Sequence, residues 1–193
     1  MLPERDESNV FQVVFLCTGN RARSPLAAEL LKLRVRRFRV SVSSAGTLDL
    51  EGRPALAEAV AVGKPLGADL SGHRSSSLRR GELRAADLIV GFEPSHVAAA
   101  VSEGGAEISR AFMILELPEL LVDIRSPRRG PSGIDDARQI VEEMHRRRVS
   151  GTGAAAQSLP DPYGKPRYAF VEMARVIDAL TSLLATEICA LAR

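Results

Sequence analysis

Short apolar runs alternate along the chain with longer segments in which apolar residues recur every three or four positions. Four runs have the length of strands, and we predict strands at 10–16, 40–44, 88–92 and 111–115. The longer segments predict helices at 25–38, 55–62, 94–101, 134–148 and 170–191, with a short turn at 78–84. This alternation is typical of parallel strands joined by crossovers. We therefore predict an α/β protein, a three-layer sandwich whose four-stranded parallel sheet has the order 2-1-3-4 with helices on both faces.

The size and composition of the chain fit one domain. It has 193 residues, of which 45% are hydrophobic and 26% are charged, enough for one well-buried core and short for two. We expect a single domain over residues 10–193, preceded by a flexible charged segment at 1–9. Two further segments, 123–133 and 150–157, are rich in proline, glycine, serine or other small residues and are predicted as exposed loops.

The cysteines and the amino end bear on the cellular compartment. Only two cysteines occur, Cys17 and Cys189, and they give no disulfide framework. The first residues are charged and lack the apolar centre of a signal peptide, and no stretch approaches the roughly 20 continuous apolar residues of a membrane span. We expect a soluble protein of the reducing cytoplasm with no membrane span, in which Cys189 is packed within the last predicted helix.

Arginine is clustered at three places, 34–39, 125–129 and 146–148, although the net charge is only +2. Nucleic-acid surfaces interleave basic residues with aromatic ones, and aromatic residues make up just 4% of this chain. We therefore predict ordinary solvated helix faces and loops here, and no nucleic-acid partner. An acidic protein partner stays open as the alternative.

The first predicted strand leads directly into a candidate nucleophile, Cys17. Five residues then separate Cys17 from Arg23, and a predicted helix follows. Backbone N–H groups at a helix start hold phosphate and favour a thiolate, Arg23 can take two phosphate oxygens, and Ser24 can donate a hydrogen bond to the sulfur. The alternative for Cys17 is a buried structural thiol. The predicted phosphate-binding loop consists of Thr18, Gly19, Asn20, Arg21, Ala22, Arg23 and Ser24.

Five short segments, in order, carry a resemblance to a known family. They are C-T-G-N-R-A-R-S-P at 17–25, S-A-G-T at 44–47, G-H-R-S at 72–75, A-D-L-I-V at 86–90 and D-P-Y-G at 161–164. Together they resemble the low-molecular-weight protein tyrosine phosphatases, a family that also includes thiol-dependent arsenate reductases. The resemblance implies the same α/β fold and hydrolysis of phosphomonoesters, above all protein phosphotyrosine.

The departing oxygen of a phosphomonoester needs a proton donor, and Asp161 fits that role. The resemblance makes Asp161 the general acid of the first step and the general base of the second, with Cys17 as nucleophile and Arg23 stabilising the phosphoryl charge. No metal or other cofactor is expected, because Arg23 and the backbone N–H groups already supply positive charge. The alternative for Asp161 is a turn-forming Asp-Pro pair without a catalytic role.

A polar network is expected to shape the loop. By resemblance, Asn20 takes a left-handed backbone conformation and its side chain bonds with Ser44 and His73. Gly19 allows close backbone approach. The two remaining histidines, His96 and His145, lack neighbouring ligand residues in the sequence and are predicted to lie at the surface.

Three departures from the family's pattern concern redox behaviour and specificity. Ala22 stands where many relatives have a second cysteine, so a disulfide within the loop cannot form. Aliphatic Leu48 and Leu50 stand where several relatives have an aromatic residue, and Tyr163 is a single tyrosine where some relatives have two. The predicted substrate wall consists of these three residues. With fewer aromatic residues to hold a phenol ring, phosphoserine and small phosphomonoesters remain alternative substrates to phosphotyrosine. The expected partner is a phosphorylated protein or a small phosphomonoester, and a monomer is expected.

Two alternative functions remain at this point. A single-cysteine arsenate reductase would need only Cys17 and a small external thiol, whereas an internal thiol relay would need further cysteines near the loop. A non-catalytic phosphate-binding regulatory module is the other alternative. It would have no need for the nucleophile Cys17 and the acid Asp161 together.

Overall fold

A four-stranded parallel sheet organises the protein. The computed structural model describes residues 10–122, 124, 133–151 and 157–189. Strand β1 (Phe11–Cys17) lies between β2 (Val40–Gly46) and β3 (Leu88–Gly91), and β4 (Ala111–Met113) follows β3 at the edge. The observed strand order is β2-β1-β3-β4. This confirms the predicted α/β fold and its order.

Six α-helices surround the sheet in the described part of the chain. They are α1 (Arg23–Val35), α2 (Ala57–Gly63), α3 (Pro94–Ser102), α4 (Leu117–Leu121), α5 (Gly133–Val149) and α6 (Arg167–Cys189). Short 3-10 helices occupy Lys64–Leu66, Ile108–Arg110 and Ile114–Glu116. Within the described ranges, no helix has both the length and the apolar character needed to cross a bilayer.

Most predicted elements are observed with shifts of a few residues, and two differ more. The fourth strand was predicted at 111–115 but ends at Met113. The next two residues are apolar, as in a strand, but they belong to a 3-10 helix. Helix α4 was missed because its five residues are too few to show a helical period. The predicted segment 1–9, most of both predicted loops, the arginines at 125–129 and the side chain of Cys189 lie outside the described residues.

The core has two parts, one on each face of the sheet. Along β1, Phe11, Val13 and Phe15 face a large cluster that includes apolar residues of α1, α5 and α6. The alternate residues Val14 and Leu16 face a smaller cluster that contains residues of β3, β4 and α3. Both faces are therefore buried, which places the functional side chains at the carboxyl ends of the strands.

The described arginine clusters are held by specific contacts. Arg34 pairs with Asp178 between α1 and α6, and Arg146 pairs with Glu143 on the surface of α5. Arg148 departs from the prediction of a solvated face, because its guanidinium lies 4.4 Å from the centre of the Phe112 ring and donates to backbone carbonyls. Its role in the structure is to pack α5 against the edge of the sheet.

Candidate active site

The candidate site lies where the central strand gives way to a helix. Strand β1 ends at Cys17, and α1 begins at Arg23 after a loop of five residues. Ala22 occupies the N-cap position of α1 and makes no side-chain hydrogen bond to the helix. The first N–H groups of α1 therefore have no capping side chain and can face an anion.

The Cys17 sulfur is buried beside a serine hydroxyl. Cys17 is 2% exposed, and its Sγ lies 2.9 Å from Ser24 Oγ. Ser24 Oγ also accepts a hydrogen bond from Asn20 Nδ2 at 2.9 Å. Asn20 uses an acceptor site of the hydroxyl, and the single Ser24 proton then has two acceptors in reach, the sulfur at 2.9 Å and the more distant Ala45 carbonyl oxygen at 3.4 Å. The predicted contact between Ser24 and Cys17 is present.

Asn20 links the loop to two neighbouring segments. It has the left-handed φ of 50°, as predicted. Its Nδ2 donates to Ser44 Oγ at 2.8 Å, and its Oδ1 accepts from the Ser76 backbone N–H at 2.9 Å. The buried amide thus holds the loop against the end of β2 and against the stretch around Ser76, which lies between α2 and β3.

His73 supports the loop through a different atom from the one expected. Its Nε2 lies 2.7 Å from the backbone carbonyl oxygen of Asn20, not from the Asn20 side chain, so that part of the prediction was wrong. A carbonyl only accepts hydrogen bonds, so Nε2 carries the proton. Burial lowers the pKa of His73, and the hydrogen bond to Asn20 opposes that shift without reversing it. A neutral ring that donates to the backbone suits a supporting residue.

The glycine of S-A-G-T lets the loop lie against β2. Gly46 pairs with Cys17 in the sheet. A Cβ at Gly46 would lie 3.0 Å from the Thr18 carbonyl oxygen and 3.1 Å from both Asn20 N and Gly19 C. All three are backbone atoms of the phosphate-binding loop, so a side chain at position 46 would force the loop away.

Arg23 is buried and anchored by two carboxylates. Its side chain is 1% exposed. Nη2 lies 2.5 Å from Asp161 Oδ2, while Nη1 bonds with Glu93 and with the Leu159 carbonyl oxygen, the latter at 3.1 Å. The Phe92 ring lies 5.9 Å from the guanidinium carbon. The structure thus brings together Arg23 and Asp161, as the sequence predicted, although they are 138 positions apart.

Glu93 was missed by the sequence analysis. It follows β3, the strand next to β1, and is the N-cap of α3. Burial by itself raises the pKa of the Glu93 carboxyl, but the hydrogen bond and the charge of Arg23 outweigh that effect and the pKa lies below its ordinary value. The sequence did hold a signal for Glu93: it directly follows the predicted strand 88–92, and the carboxyl ends of neighbouring parallel strands meet at one edge of the sheet.

His96 is buried, so its predicted surface position was wrong. It is 1% exposed, and its Nδ1 accepts hydrogen bonds from the backbone N–H groups of Phe92 and Glu93 at 3.2 and 3.1 Å. Its Nε2 lies 3.0 Å from Thr18 Oγ1 in the loop. Burial, followed by the positive charge of Arg23, lowers the pKa of His96 to about 4. The imidazole caps the start of α3 by accepting the hydrogen bond of the N-cap backbone N–H. Nothing in the spacing of the sequence indicated this contact.

A cavity of about 110 Å³ opens above the sulfur. Leu48 and Tyr163 line it as predicted, and their side chains are 52% and 70% exposed. Leu50 packs instead against the loop, near Gly19. The aliphatic residue that the prediction missed is Leu56, and the full lining consists of Cys17, Thr18, Gly19, Arg21, Ala22, Arg23, Leu48, Leu56, Asp161 and Tyr163.

The site's chemistry comes from a thiol, a guanidinium and two carboxylates. Across the described residues, no three His, Cys, Asp or Glu side chains come together in a way that could hold a metal ion. The arrangement places a nucleophile, a cationic fork and a carboxylate around one small cavity. Such a set can bind a tetrahedral anion, attack it and protonate a leaving group.

Comparison with known proteins agrees with this geometry. Residues 12–150 match the family model described as low molecular weight phosphotyrosine protein phosphatase. The chain belongs to this family. Low molecular weight phosphatases are also found among solved structures with the same fold: the enzyme from T. tengcongensis is 28% identical, with a TM-score of 0.64 over 90% of this chain and 97% of that one.

Two curated relatives extend the comparison within the phosphatase family. The low molecular weight protein-tyrosine-phosphatase Etp of Escherichia coli is 38% identical over 86 residues, which are 45% of this chain and 57% of Etp, less than two thirds of its length. A protein-arginine-phosphatase of Geobacillus stearothermophilus is 32% identical over 181 residues, 92% of this chain and 98% of that protein. The relatives are phosphatases that differ in the phosphorylated residue their names specify.

Proposed function

We propose that this protein hydrolyses protein phosphomonoesters, above all phosphotyrosine, through a cysteinyl-phosphate intermediate. The observation that carries the proposal is the convergence of Cys17, Arg23 and Asp161 on one small cavity. Cys17 lies at the end of β1 beside the uncapped start of α1, where a phosphoryl group would meet backbone N–H donors. Arg23 adds a buried cationic fork to that site.

In the first step, the Cys17 thiolate attacks phosphorus while the bond to the leaving oxygen breaks. Arg23 and the loop N–H groups stabilise the charge on the three equatorial oxygens. Asp161 gives its proton to the departing oxygen, so the alcohol or phenol leaves neutral. The products are a phosphorylated Cys17 and an Asp161 carboxylate.

In the second step, water attacks the same phosphorus on the side that the leaving group vacated. Asp161 takes a proton from this water, and the bond between sulfur and phosphorus breaks. Ser24, 2.9 Å from the sulfur, stabilises the departing thiolate by a hydrogen bond. Inorganic phosphate leaves, and Cys17 and Asp161 return to their starting forms.

The walls of the cavity favour an aromatic leaving group with moderate selectivity. Leu48 and Leu56 supply apolar surface and Tyr163 supplies one exposed ring beside Asp161. A phenol ring can pack between them, whereas a serine side chain would leave the walls uncovered. The walls therefore add to the affinity for phosphotyrosine more than for phosphoserine.

Phosphoarginine is the second candidate substrate, favoured by a specific comparison. The Geobacillus protein-arginine-phosphatase matches 92% of this chain, a longer match than the tyrosine phosphatase Etp provides. Asp161 could protonate a departing guanidine as it would a phenol. Against this candidate, Arg21 lines the cavity with a positive charge that would repel a cationic leaving group.

The deciding experiment compares substrates in the wild-type protein and in Cys17→Ser. The substrates are an aryl phosphate, matched phosphotyrosine, phosphoserine and phosphoarginine peptides, and arsenate with a small thiol. Phosphotyrosine is expected to be hydrolysed fastest among the peptides, and Cys17→Ser to lose turnover while still binding inorganic phosphate. Trapping phosphate on Cys17 in Asp161→Ala would identify the intermediate. Turnover that survives in Cys17→Ser would rule the mechanism out, and faster arsenate reduction would favour the reductase.

We further propose that the enzyme is cytoplasmic and that it is a monomer. A nucleophilic thiol that must stay reduced suits a reducing compartment, and Ala22 offers no second thiol in the loop for reversible protection. One chain by itself brings Cys17, Arg23 and Asp161 together, so the proposed chemistry requires no second subunit. Fractionation of cells and the sedimentation mass of the pure protein test these two statements.

A further inference from the structure

His96 is a buried titratable group that the mechanism above does not use. It lies on the first turn of α3, 1% exposed, and it contacts the phosphate-binding loop through Thr18. Thr18 directly follows the nucleophile and lines the catalytic cavity. A buried imidazole is thus linked to the hydroxyl of a residue that lines the cavity.

The backbone fixes the tautomer of His96. Two N–H groups, from Phe92 and Glu93, point at Nδ1 from 3.2 and 3.1 Å. A backbone N–H can only donate, so Nδ1 must be the acceptor nitrogen and cannot carry a proton. In the neutral ring the proton is then on Nε2. Burial and the charge of Arg23 lower the pKa of His96 to about 4, so the ring is neutral near pH 7.

This tautomer fixes the role of the Thr18 oxygen. The His96 Nε2–H donates to Thr18 Oγ1 over 3.0 Å, and Arg23 Nη2 donates to the same oxygen over 3.3 Å. A hydroxyl oxygen has two lone pairs, and both are then in use. The Thr18 hydroxyl can therefore accept nothing more, and its own proton is the one hydrogen-bonding capacity it has left.

We propose that Thr18 is a dedicated hydrogen-bond donor to an oxygen of the bound phosphoryl group, and that His96 is the positioning residue that enforces this polarity. The proposal rests on the proposed function for the identity of the anion. Without His96, Thr18 could rotate and present a lone pair to the phosphate, which would repel it. With His96 and Arg23 in place, the hydroxyl offers only its proton.

Thr18 variants test the donor. Thr18→Ser keeps the hydroxyl, and Thr18→Val keeps the shape without it. With inorganic phosphate as the probe, Thr18→Val is expected to raise the dissociation constant, measured by titration calorimetry, roughly 10- to 100-fold, the effect of one hydrogen bond to a charged group. Thr18→Ser is expected to stay within about twofold of the wild type. The contacts of Arg23 with Glu93, Leu159 and Asp161 involve no atom that either substitution changes, so they should be kept in both variants.

A double-mutant cycle separates positioning from plain structural support. His96→Asn keeps an acceptor near the two backbone N–H groups but is too short to reach Thr18. It is expected to weaken phosphate binding about 5- to 10-fold in the wild-type background and to change it less than twofold in Thr18→Val. His96→Gln, whose amide can reach Thr18, is expected to restore part of the loss. Equal effects of His96→Asn in both backgrounds would overturn the positioning role.

The tautomer can be observed directly in the unmutated protein. Nitrogen-15 NMR of labelled histidine is expected to show His96 with a protonated Nε2 and an unprotonated Nδ1 near neutral pH. A proton on Nδ1, or a Thr18→Val protein that binds phosphate as tightly as the wild type, would refute the proposal. Both readouts are independent of turnover, so a failure of the cysteinyl-phosphate mechanism would be recognised separately, by the Cys17→Ser experiment.

Discussion

Asp161 and Arg23 form a direct ion pair in the candidate site, with Asp161 Oδ2 2.5 Å from Arg23 Nη2. Arg23 Nη1 is held by Glu93 on the other side. Phosphate that binds through the Arg23 fork must compete with the Asp161 carboxylate for Nη2. The ion pair predicts that phosphate binding frees Asp161, the proposed catalytic acid, because the entering anion takes over its partner Arg23.

Asp161→Asn is expected to affect binding and turnover in opposite directions. Without the competing carboxylate, inorganic phosphate should inhibit several-fold more strongly, whereas kcat for aryl phosphates with poor leaving groups should fall by about 10²- to 10⁴-fold. For substrates with good leaving groups, kcat should fall less, because such groups depart without a proton. Steady-state kinetics across a series of aryl phosphates measures both effects.

A matched control exists for this substitution. Asp178 is also paired with an arginine, Arg34, and is 36% exposed against 40% for Asp161. Asp178→Asn should leave phosphate inhibition and kcat unchanged. Weaker phosphate inhibition in Asp161→Asn would contradict the competition between the carboxylate and the anion.

Glu93→Gln tests the anchoring of Arg23. The Arg23 guanidinium is almost fully buried, and losing one of its two anionic partners should reduce the free energy of unfolding by about 1–2 kcal/mol, discounted for the partial exposure of Glu93. Glu143 is the control, since it is 29% exposed and pairs with the solvent-exposed Arg146. Urea denaturation of Glu143→Gln should give a change below about 0.5 kcal/mol. Equal losses in the two variants would argue against a special role for the buried pair.

His96 predicts a specific loss of stability in acid. Its pKa is lowered from 6.5 to about 4, so the folded protein holds a neutral ring where the unfolded chain takes up a proton. The stabilisation is present above pH 6.5 and is lost progressively as the pH falls to about 4, a total of about 3 kcal/mol. In His96→Asn the unfolding free energy should change less over this range, by about 3 kcal/mol, than in the wild type.

Urea melts at several pH values measure this difference. His145→Asn is the matched control, because His145 lies half-buried on α5 away from the loop. It should retain the pH dependence of the wild type. A His96→Asn protein whose stability falls with pH as steeply as the wild type would show that other groups cause the acid sensitivity.

Asn20 allows backbone strain to be separated from side-chain hydrogen bonding. Asn20→Ala removes the bonds to Ser24, Ser44 and Ser76 and also places alanine at a φ of 50°. Asn20→Gly removes the same bonds without the conformational strain. We expect both variants to lose stability and phosphate affinity, with Asn20→Ala less stable than Asn20→Gly by about 1 kcal/mol. Thermal and urea unfolding measure the difference, and an alanine variant as stable as the glycine variant would contradict it.

The fold could be predicted from the sequence because the relevant signals are local. Apolar runs of strand length separated by helical periods specify a parallel α/β sheet, and short connections restrict its order. The phosphate-binding loop was equally accessible, since Cys17, Arg23 and Ser24 are neighbours in the chain. Helix α4 was not, because five residues do not complete two helical turns.

The missed parts of the site depend on contacts between distant segments. Glu93 and His96 reach the loop only because β3 is the neighbour of β1. The bond from His73 to the Asn20 carbonyl has no side-chain signature, since any residue at position 20 would present that oxygen. Residue types predict which chemistry is available, whereas the pairing of strands decides which atoms meet.

The bare Cα of Gly46 has a consequence for how such sites arise. Strand β2 carries no proposed catalytic group, yet the backbone of three loop residues packs directly against its last residue. Transplanting the nine residues 17–25 into another α/β scaffold would not recreate the anion cradle unless the adjoining strand also ended in glycine. The smallest transferable unit is a pair of parallel strand ends, one that carries the sulfur and one that leaves space for the loop behind it.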